Sequence, residues 1–447
     1  MRCSSSTVSI IRAAVGKLAA FVICLSLSAA VVLAASSDDK SRSRADKAIR
    51  EGDFQTAEKI FRELLVKDPH DRQARLGLSF ALLKQRQLQG AYDHAARVIL
   101  VDPLSARAHA LLGSAILAAG DFRNSVEEFR TAISIQDDES LAIAGLAMVD
   151  FYENRVDSAI RGLRRAVSIS PNEPDYVFNL GQAAARSERY REAADSYERF
   201  LIIAPKTDAD RRDRIRGLIE FLRYLGRQSG LYAPTGANKT VLSFEAIDAR
   251  PILKVRVNGG RDLLRFVLDT GSGMSVVSEE TAKRLGLRPV ARGGLARAVG
   301  GGGKFEIVYG FLSSIEMGEV KIQNVPVYIR RFFDDKTPVD GYLGLSIISK
   351  FVAAVDYGER SFTLVRQRTS EGVNPFSAIK AAAPSSDVEE PLAAGTVEIP
   401  LRTTASGFLS GEVYLEGIEK PLNFIIDTGA SISVVSEKLA ALEEMTP

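Results

Sequence analysis

Two stretches of this chain repeat each other without a gap at an offset of 158 residues. The first runs from Leu264 to Ser278 and the second from Leu422 to Ser436. Each leads an apolar run straight into Asp-Thr-Gly, at Asp269-Thr270-Gly271 and Asp427-Thr428-Gly429. Agreement extends back to Gly259 and Gly417 and forward to Ala282 and Ala440. A short apolar run reads as a buried strand, and the glycine after it suits a tight turn. The chain is therefore expected to build two equivalent strand-and-turn units with a carboxylate at each tip. Like charges brought a few ångströms apart cannot both ionise, so such a pair shares one proton and can activate water.

The rest of the composition narrows the chemistry to these carboxylates. Lysine plus arginine (58) nearly balances aspartate plus glutamate (56), which offers nucleic acid no long-range attraction. Cys3 and Cys24 lie in the N-terminal segment, leaving the remainder without thiol chemistry or disulfides. His70, His94 and His109 are the only imidazoles, so neither a Ser-His-Asp triad nor a histidine-bound zinc fits beside the Asp-Thr-Gly turns. These histidines are expected to sit at the surface or to pack. No cofactor and no metal are expected.

Arg2, Arg12 and Lys17 precede an apolar run from Leu18 to Ala35, broken only by Ser26 and Ser28, and the chain then turns polar at Ser36. Residues 1–35 therefore read as a secretory signal, the small-residue exit favouring cleavage, or as a membrane anchor through 18–35. In both cases the remainder is expected to be exported, to a periplasmic or extracellular location.

A second regularity has a period of 34 residues. Pro69, Pro103, Asp137, Pro171 and Pro205 keep this step. So do Phe54, Leu88, Phe122, Val156 and Tyr190, the small column Ala57, Ala91, Ser125, Ala159 and Ala193, and the column Phe61, Ala95, Phe129, Leu163 and Tyr197. Small residues at fixed places let paired helices approach, and large ones fill the space between pairs. This pattern resembles the tetratricopeptide repeat, which implies an all-α solenoid over 38–228 whose groove holds a protein partner. Tyr152, Asn179 and Arg186 are candidates to line that groove. Ser41 to Arg50 reads as an N-terminal cap, and 208–226, rich in arginine, as a solvated C-terminal cap.

Beyond Gly236 the period shifts from 3.6 to 2. Val241–Ile247 and Ile252–Val257 read as strands, Asn258-Gly259-Gly260 as a hairpin turn, and Ser278–Leu285 as a short helix. Gly300, Gly301, Gly302 and Gly303 separate Ala298-Val299 from Phe305–Tyr309 and suggest a hairpin tip. A phosphate-binding loop does not fit there, because Ala298 replaces its first glycine and Phe305 its magnesium-holding hydroxyl. Val339-Asp-Gly-Tyr-Leu-Gly344 leads into another helix, and Phe351–Tyr357 with Ser361–Leu364 into a closing hairpin.

The order of these features resembles the aspartic proteases of the retroviral type. The resemblance implies an all-β, acid-protease-like lobe over 241–366, an extended linker over 367–395, and the start of a second lobe over 396–447. It implies Asp269 and Asp427 as catalytic, Thr270 and Thr428 as braces between the turns, and Gly271 and Gly429 as gaps for backbone amides. Ser272 can bond Asp269 where Ala430 cannot serve Asp427, and Gly300–Gly303 would form the substrate-binding flap. From Asp269 the first lobe continues 95 residues to Leu364, whereas 20 residues follow Asp427. The second lobe is thus expected to be truncated and unable to complete the site by itself. A longer parent protein, a truncated product, or a homodimer of first lobes would each account for this. The expected function is exported peptide-bond hydrolysis on a peptide or protein substrate. The alternative is a non-catalytic interaction scaffold whose protease-like lobes only bind or dimerise.

Overall fold

The computed structural model describes residues 38–297, 304–332, 338–366, 399–404, 408–418, 421–436 and 439–440. The segment 1–35, the tip Gly300–Gly303 and the linker 367–395 lie outside the described residues. Among the described residues no helix is long and apolar enough to cross a membrane. The chain forms two compact units, one of residues up to 145 with 205–207, the other of 146–204 with 208 onward.

The first unit is helical. A helix over 38–51 (α1) precedes α2 (Phe54–Lys67), α3 (Arg72–Lys84), α4 (Leu88–Val101), α5 (Ala106–Ala118) and α6 (Phe122–Ile135). Helix α7 (Ser140–Tyr152) runs across the boundary into the second unit. Asp53, Asp71 and Asp121 cap α2, α3 and α6, each accepting from the backbone amide three residues on. The small column is fully buried at Ala57, Ala91 and Ser125, and Phe61 and Phe129 fill the spaces between helices. A Cβ on Gly113 would lie 2.9 Å from the Phe129 ring, so the glycine is what admits it. His109 bonds Glu128 Oε2 at 2.7 Å and the Pro103 carbonyl at 3.1 Å.

The second unit continues with α8 (Val156–Ile169), α9 (Pro174–Arg186), α10 (Tyr190–Ile203) and α11 (Ala209–Leu225). Helices of 14 and 13 residues alternate from α2 to α10, as the 34-residue step requires. The step also appears in the backbone. Gly52, Arg86, Gly120, Asn154 and Glu188 all take positive φ between the helices of a pair, although only two of the five are glycine. Helix α11 departs from expectation. One side, with Ile215 and Leu222, packs on Val177, Phe178 and Phe200. The other, with Phe221 and Leu225, packs on Ala291, Ile307 and Tyr309 of the sheet that follows. It is not a solvated cap but a helix with two apolar faces, which its arginines obscured in the sequence.

Among the described residues that sheet has nine strands, the first five being β1 (Ala233–Gly236), β3 (Glu245–Ile247), β4 (Arg250–Val257), β5 (Leu264–Leu268) and β6 (Val276–Ser278). The others are β7 (Ala291–Arg297), β8 (Lys304–Met317), β9 (Val320–Arg330) and β10 (Gly341–Leu343). The expected strand over 241–247 is broken at Phe244, giving β2 (Lys239–Ser243) and β3, and β2 joins a second sheet with β11 (Phe351–Asp356) and β12 (Ser361–Arg366). Short helices α12 (Glu279–Arg284) and α13 (Leu345–Ile348) lie where the sequence put them. The sheet begins earlier than the expected boundary at 241, because β1 pairs antiparallel with β9. Its core gathers Leu253, Val255, Phe266, Leu268, Val277, Val325, Val327 and Leu343. Strand β10 sits between β5, which it meets parallel, and β6, which it meets antiparallel. This places the end of β5, and Asp269 with it, at the middle of the lobe. Three further strands, β13 (Leu401–Thr403), β14 (Leu409–Val413) and β15 (Leu422–Ile425), form an antiparallel sheet that carries Asp427.

Candidate active site

Strand β5 ends at Leu268, and the chain turns sharply because Asp269 N–H donates to the Leu343 carbonyl at 3.0 Å while Leu345 N–H reaches back to the Ser272 carbonyl at 2.8 Å. Gly344 makes this crossing feasible, since a Cβ there would lie 2.7 Å from the Ser272 oxygen. Its own amide donates to the fully buried Ser275 Oγ at 3.0 Å. The turn is thus held by the end of β10 and the segment that follows it.

The second turn meets the first with near two-fold symmetry. Thr270 N–H donates to Thr428 Oγ1 at 3.1 Å, and Thr428 N–H donates to Thr270 Oγ1 at 3.0 Å. Each hydroxyl then donates across the pair, Thr270 to the Ile426 carbonyl and Thr428 to the Leu268 carbonyl, both at 2.7 Å. Four bonds to otherwise orphaned backbone groups join the turns, and each orphan would cost about 1–3 kcal/mol. The glycines make room for the facing carboxylates. A Cβ on Gly271 would lie 2.5 Å from Asp427 Oδ2, and one on Gly429 would lie 2.8 Å from Asp269 Oδ1. Gly271 N–H donates to Asp269 Oδ1 at 2.9 Å, and Gly429 N–H donates to Asp427 Oδ1 at 2.8 Å.

The two carboxyls are close but not equivalent. Asp269 is buried and Asp427 is exposed. Burial pushes Asp269 up to about 6, and the neighbouring Asp427 carboxylate pushes the same way. Two bonds oppose this by favouring the anion, Ser272 Oγ–H to Asp269 Oδ2 at 2.6 Å and the Gly271 amide. Desolvation outweighs them. Asp269 therefore holds its proton into mildly acid conditions.

The structure brings Asp269, Thr270, Gly271, Ser272, Asp427, Thr428 and Gly429 together in one chain. The expectation of an incomplete second lobe leaves open whether the pair forms within one chain; here the joining bonds come from the turns themselves, with β13–β15 leading into the second one. Arg186, one of the residues expected to line the repeat groove, stacks its guanidinium 3.8 Å over Phe151 and donates to the Thr404 carbonyl, next to β13, at 2.7 Å. Ser275 was missed by sequence reasoning, although its place inside an apolar frame repeated at Ser433 was a usable signal. Among the described residues no cluster of His, Cys, Asp and Glu could hold a metal ion.

Comparison with known proteins finds two kinds of domain. Residues 253–347 match the aspartyl protease family model, while 48–115 and 145–207 match tetratricopeptide repeat models. Anaphase-promoting complex subunit 3 of Schizosaccharomyces pombe is 28% identical over 157 residues, 35% of this chain and 24% of that protein. The chain thus spans about a quarter of that curated relative's length. A thermophilic tetratricopeptide-repeat protein of Thermus thermophilus is similar over 39% of this chain and 95% of its own, at 19% identity and a TM-score of 0.34. MamA is similar over 37% and 96%, at 22% identity and a TM-score of 0.26. The chain carries tetratricopeptide repeats followed by an aspartyl-protease domain of the retropepsin-like kind.

Proposed function

We propose that this protein is an exported aspartic endopeptidase whose helical repeats recruit the protein substrate or a partner. The observation that carries the reading is the reciprocal pairing of Thr270 with Thr428, which sets the Asp427 carboxylate against Gly271 and beside Asp269. Export rests on the charged start and apolar run of residues 1–35.

The chemistry follows from the unequal carboxyls. A water held between them loses a proton to ionised Asp427 as its oxygen attacks the scissile carbonyl carbon, while protonated Asp269 gives its proton to the carbonyl oxygen. The product is a neutral gem-diol. Asp427 then returns its proton to the amide nitrogen as the C–N bond breaks, and Asp269 recovers its proton from the collapsing diol. No step needs a group outside the pair.

Asp269→Asn and Asp427→Asn, assayed separately on an unfolded protein substrate from acid to neutral pH, should each lower kcat about 1,000-fold or more. Loss with Asp269→Asn alone would instead point to a homodimer of first lobes. An inactive parent that still binds unfolded protein would favour the interaction scaffold.

A further inference from the structure

Helix α11 meets the β7–β8 hairpin backbone to backbone. The ladder between these strands slips between Arg292 and Leu295, and the residues left over are Gly293 and Gly294, at φ +115° and +90°. That bulge faces α11, where the opposing residue is also a glycine. A Cβ on Gly217 would collide with the Gly293 carbonyl oxygen and lie 2.7 Å from that of Arg292. Conversely, a Cβ on Gly294 would lie 2.5 Å from the Arg214 carbonyl oxygen. Glycine in a helix interior is otherwise unfavourable, so both elements give up local stability to make this approach.

Aromatic packing continues the contact toward the site. Phe221 stacks on Tyr309 with ring centroids 4.5 Å apart, and Tyr224 meets Phe311 edge-on at 5.5 Å. The cluster they form takes in Met274, five residues beyond Asp269 in the chain, and Tyr328 on β9. Tyr328 N–H in turn donates to the Ser275 carbonyl at 2.9 Å, the residue whose hydroxyl supports Gly344. One continuous set of contacts runs from α11 through the hairpin to the support of the Asp269 turn.

We propose that α11 is the seat of the β7–β8 hairpin, with Gly217 and Phe221 as positioning residues for substrate on the Asp269 side of the site. Under this view the last helix after the repeats is a working part of the protease lobe, not a tether. The proposal rests on the endopeptidase reading for its kinetic arm only.

Gly217→Ala in the full chain gives a test with opposite signs. Alanine strengthens an undocked helix, whereas here it should push the hairpin away. Amide hydrogen exchange over 291–297 and 304–311 should speed up about tenfold or more, with 252–257 and 264–268 unchanged. Substrate KM should rise about tenfold with kcat within about twofold. Phe221→Ala should act the same way and Phe221→Leu should restore most of the loss, which also serves if Gly217→Ala does not fold. Unchanged or slower hairpin exchange would overturn the seat. Faster exchange with KM unmoved would overturn the positioning role. A parent without proteolysis would defeat the endopeptidase reading alone, and the exchange arm would still decide the seat.

Discussion

The two Asp-Thr-Gly turns have nearly the same sequence and occupy very different surroundings. On the first, Phe266, Val267 and Leu268 are buried, with β4 on one edge of β5 and β10 on the other. On the second, Ile425 and Ile426 correspond to Val267 and Leu268 but are 43% and 36% exposed, and among the described residues β15 pairs only with β14. Ile432 and Val434 are more exposed still, at 74% and 67%. The comparison teaches that the turn's hydrogen bonds are local properties, reproduced wherever the motif occurs. The proton affinity of its carboxyl is not. That depends on how much of the surrounding structure keeps water away, and among the described residues only the first turn's strand is paired on both edges.

The sharpest way to break the near-symmetry is to fill the glycines. Gly271→Ala should cost about 100-fold in kcat by displacing the Asp427 carboxylate, and Gly429→Ala, with its longer contact to Asp269, about tenfold. Equal losses would show that the two sides tolerate crowding alike. Removing the brace is next. Thr270→Val leaves the Thr428 amide and the Ile426 carbonyl without partners, and thermal or chemical unfolding should show a loss of about 2–4 kcal/mol for the second turn's attachment.

Proton affinity offers a finer test. Catalysis needs Asp269 protonated, so activity should fall as pH rises through about 6. Ser272→Ala removes a bond that favours the anion, and should move that fall upward by up to about one unit. Ala430→Ser, which offers Asp427 the hydroxyl it lacks, should leave the upper limb in place, because that limb belongs to Asp269. A shift of equal size in both variants would mean that the proton is shared without preference. The smallest effect concerns stability. A carboxyl raised from 3.8 to about 6 in the folded protein penalises folding above that range and not below 3.8. Asp269→Asn should therefore stabilise the protein at pH 7 by at most about 3 kcal/mol, an advantage that vanishes near pH 3.

Much of this architecture was legible in the chain. The 34-residue step located the helix pairs, period-2 patterning and apolar runs located β4, β5 and the β11–β12 hairpin, and α12 falls on the short helix expected over Ser278–Leu285. The paired turns singled out the site residues. Other features were hidden for identifiable reasons. The positive φ at Arg86, Asn154 and Glu188 carries no residue signature, since the same turn is glycine at positions 52 and 120. Strand β1 is a four-residue segment whose pairing with β9 depends on residues almost ninety positions away. Helix α11 looked solvated because a count of arginines does not reveal which side of the helix is covered, and Gly217 looked like a weak point when it is a point of contact.

By itself the sequence determined what groups are available: two carboxyls on matching turns, two threonines able to bridge them, no imidazole or thiol nearby, and a helical period ahead of them. Short-range patterning specifies these things, because strand, turn and helix pairing each repeat within a few tens of residues. Which carboxyl keeps the proton, whether the two turns meet in one chain, and that α11 rests against β7–β8 were decided only by the tertiary structure. Desolvation and close backbone approach sum over atoms that are distant along the chain, and no local pattern records that sum.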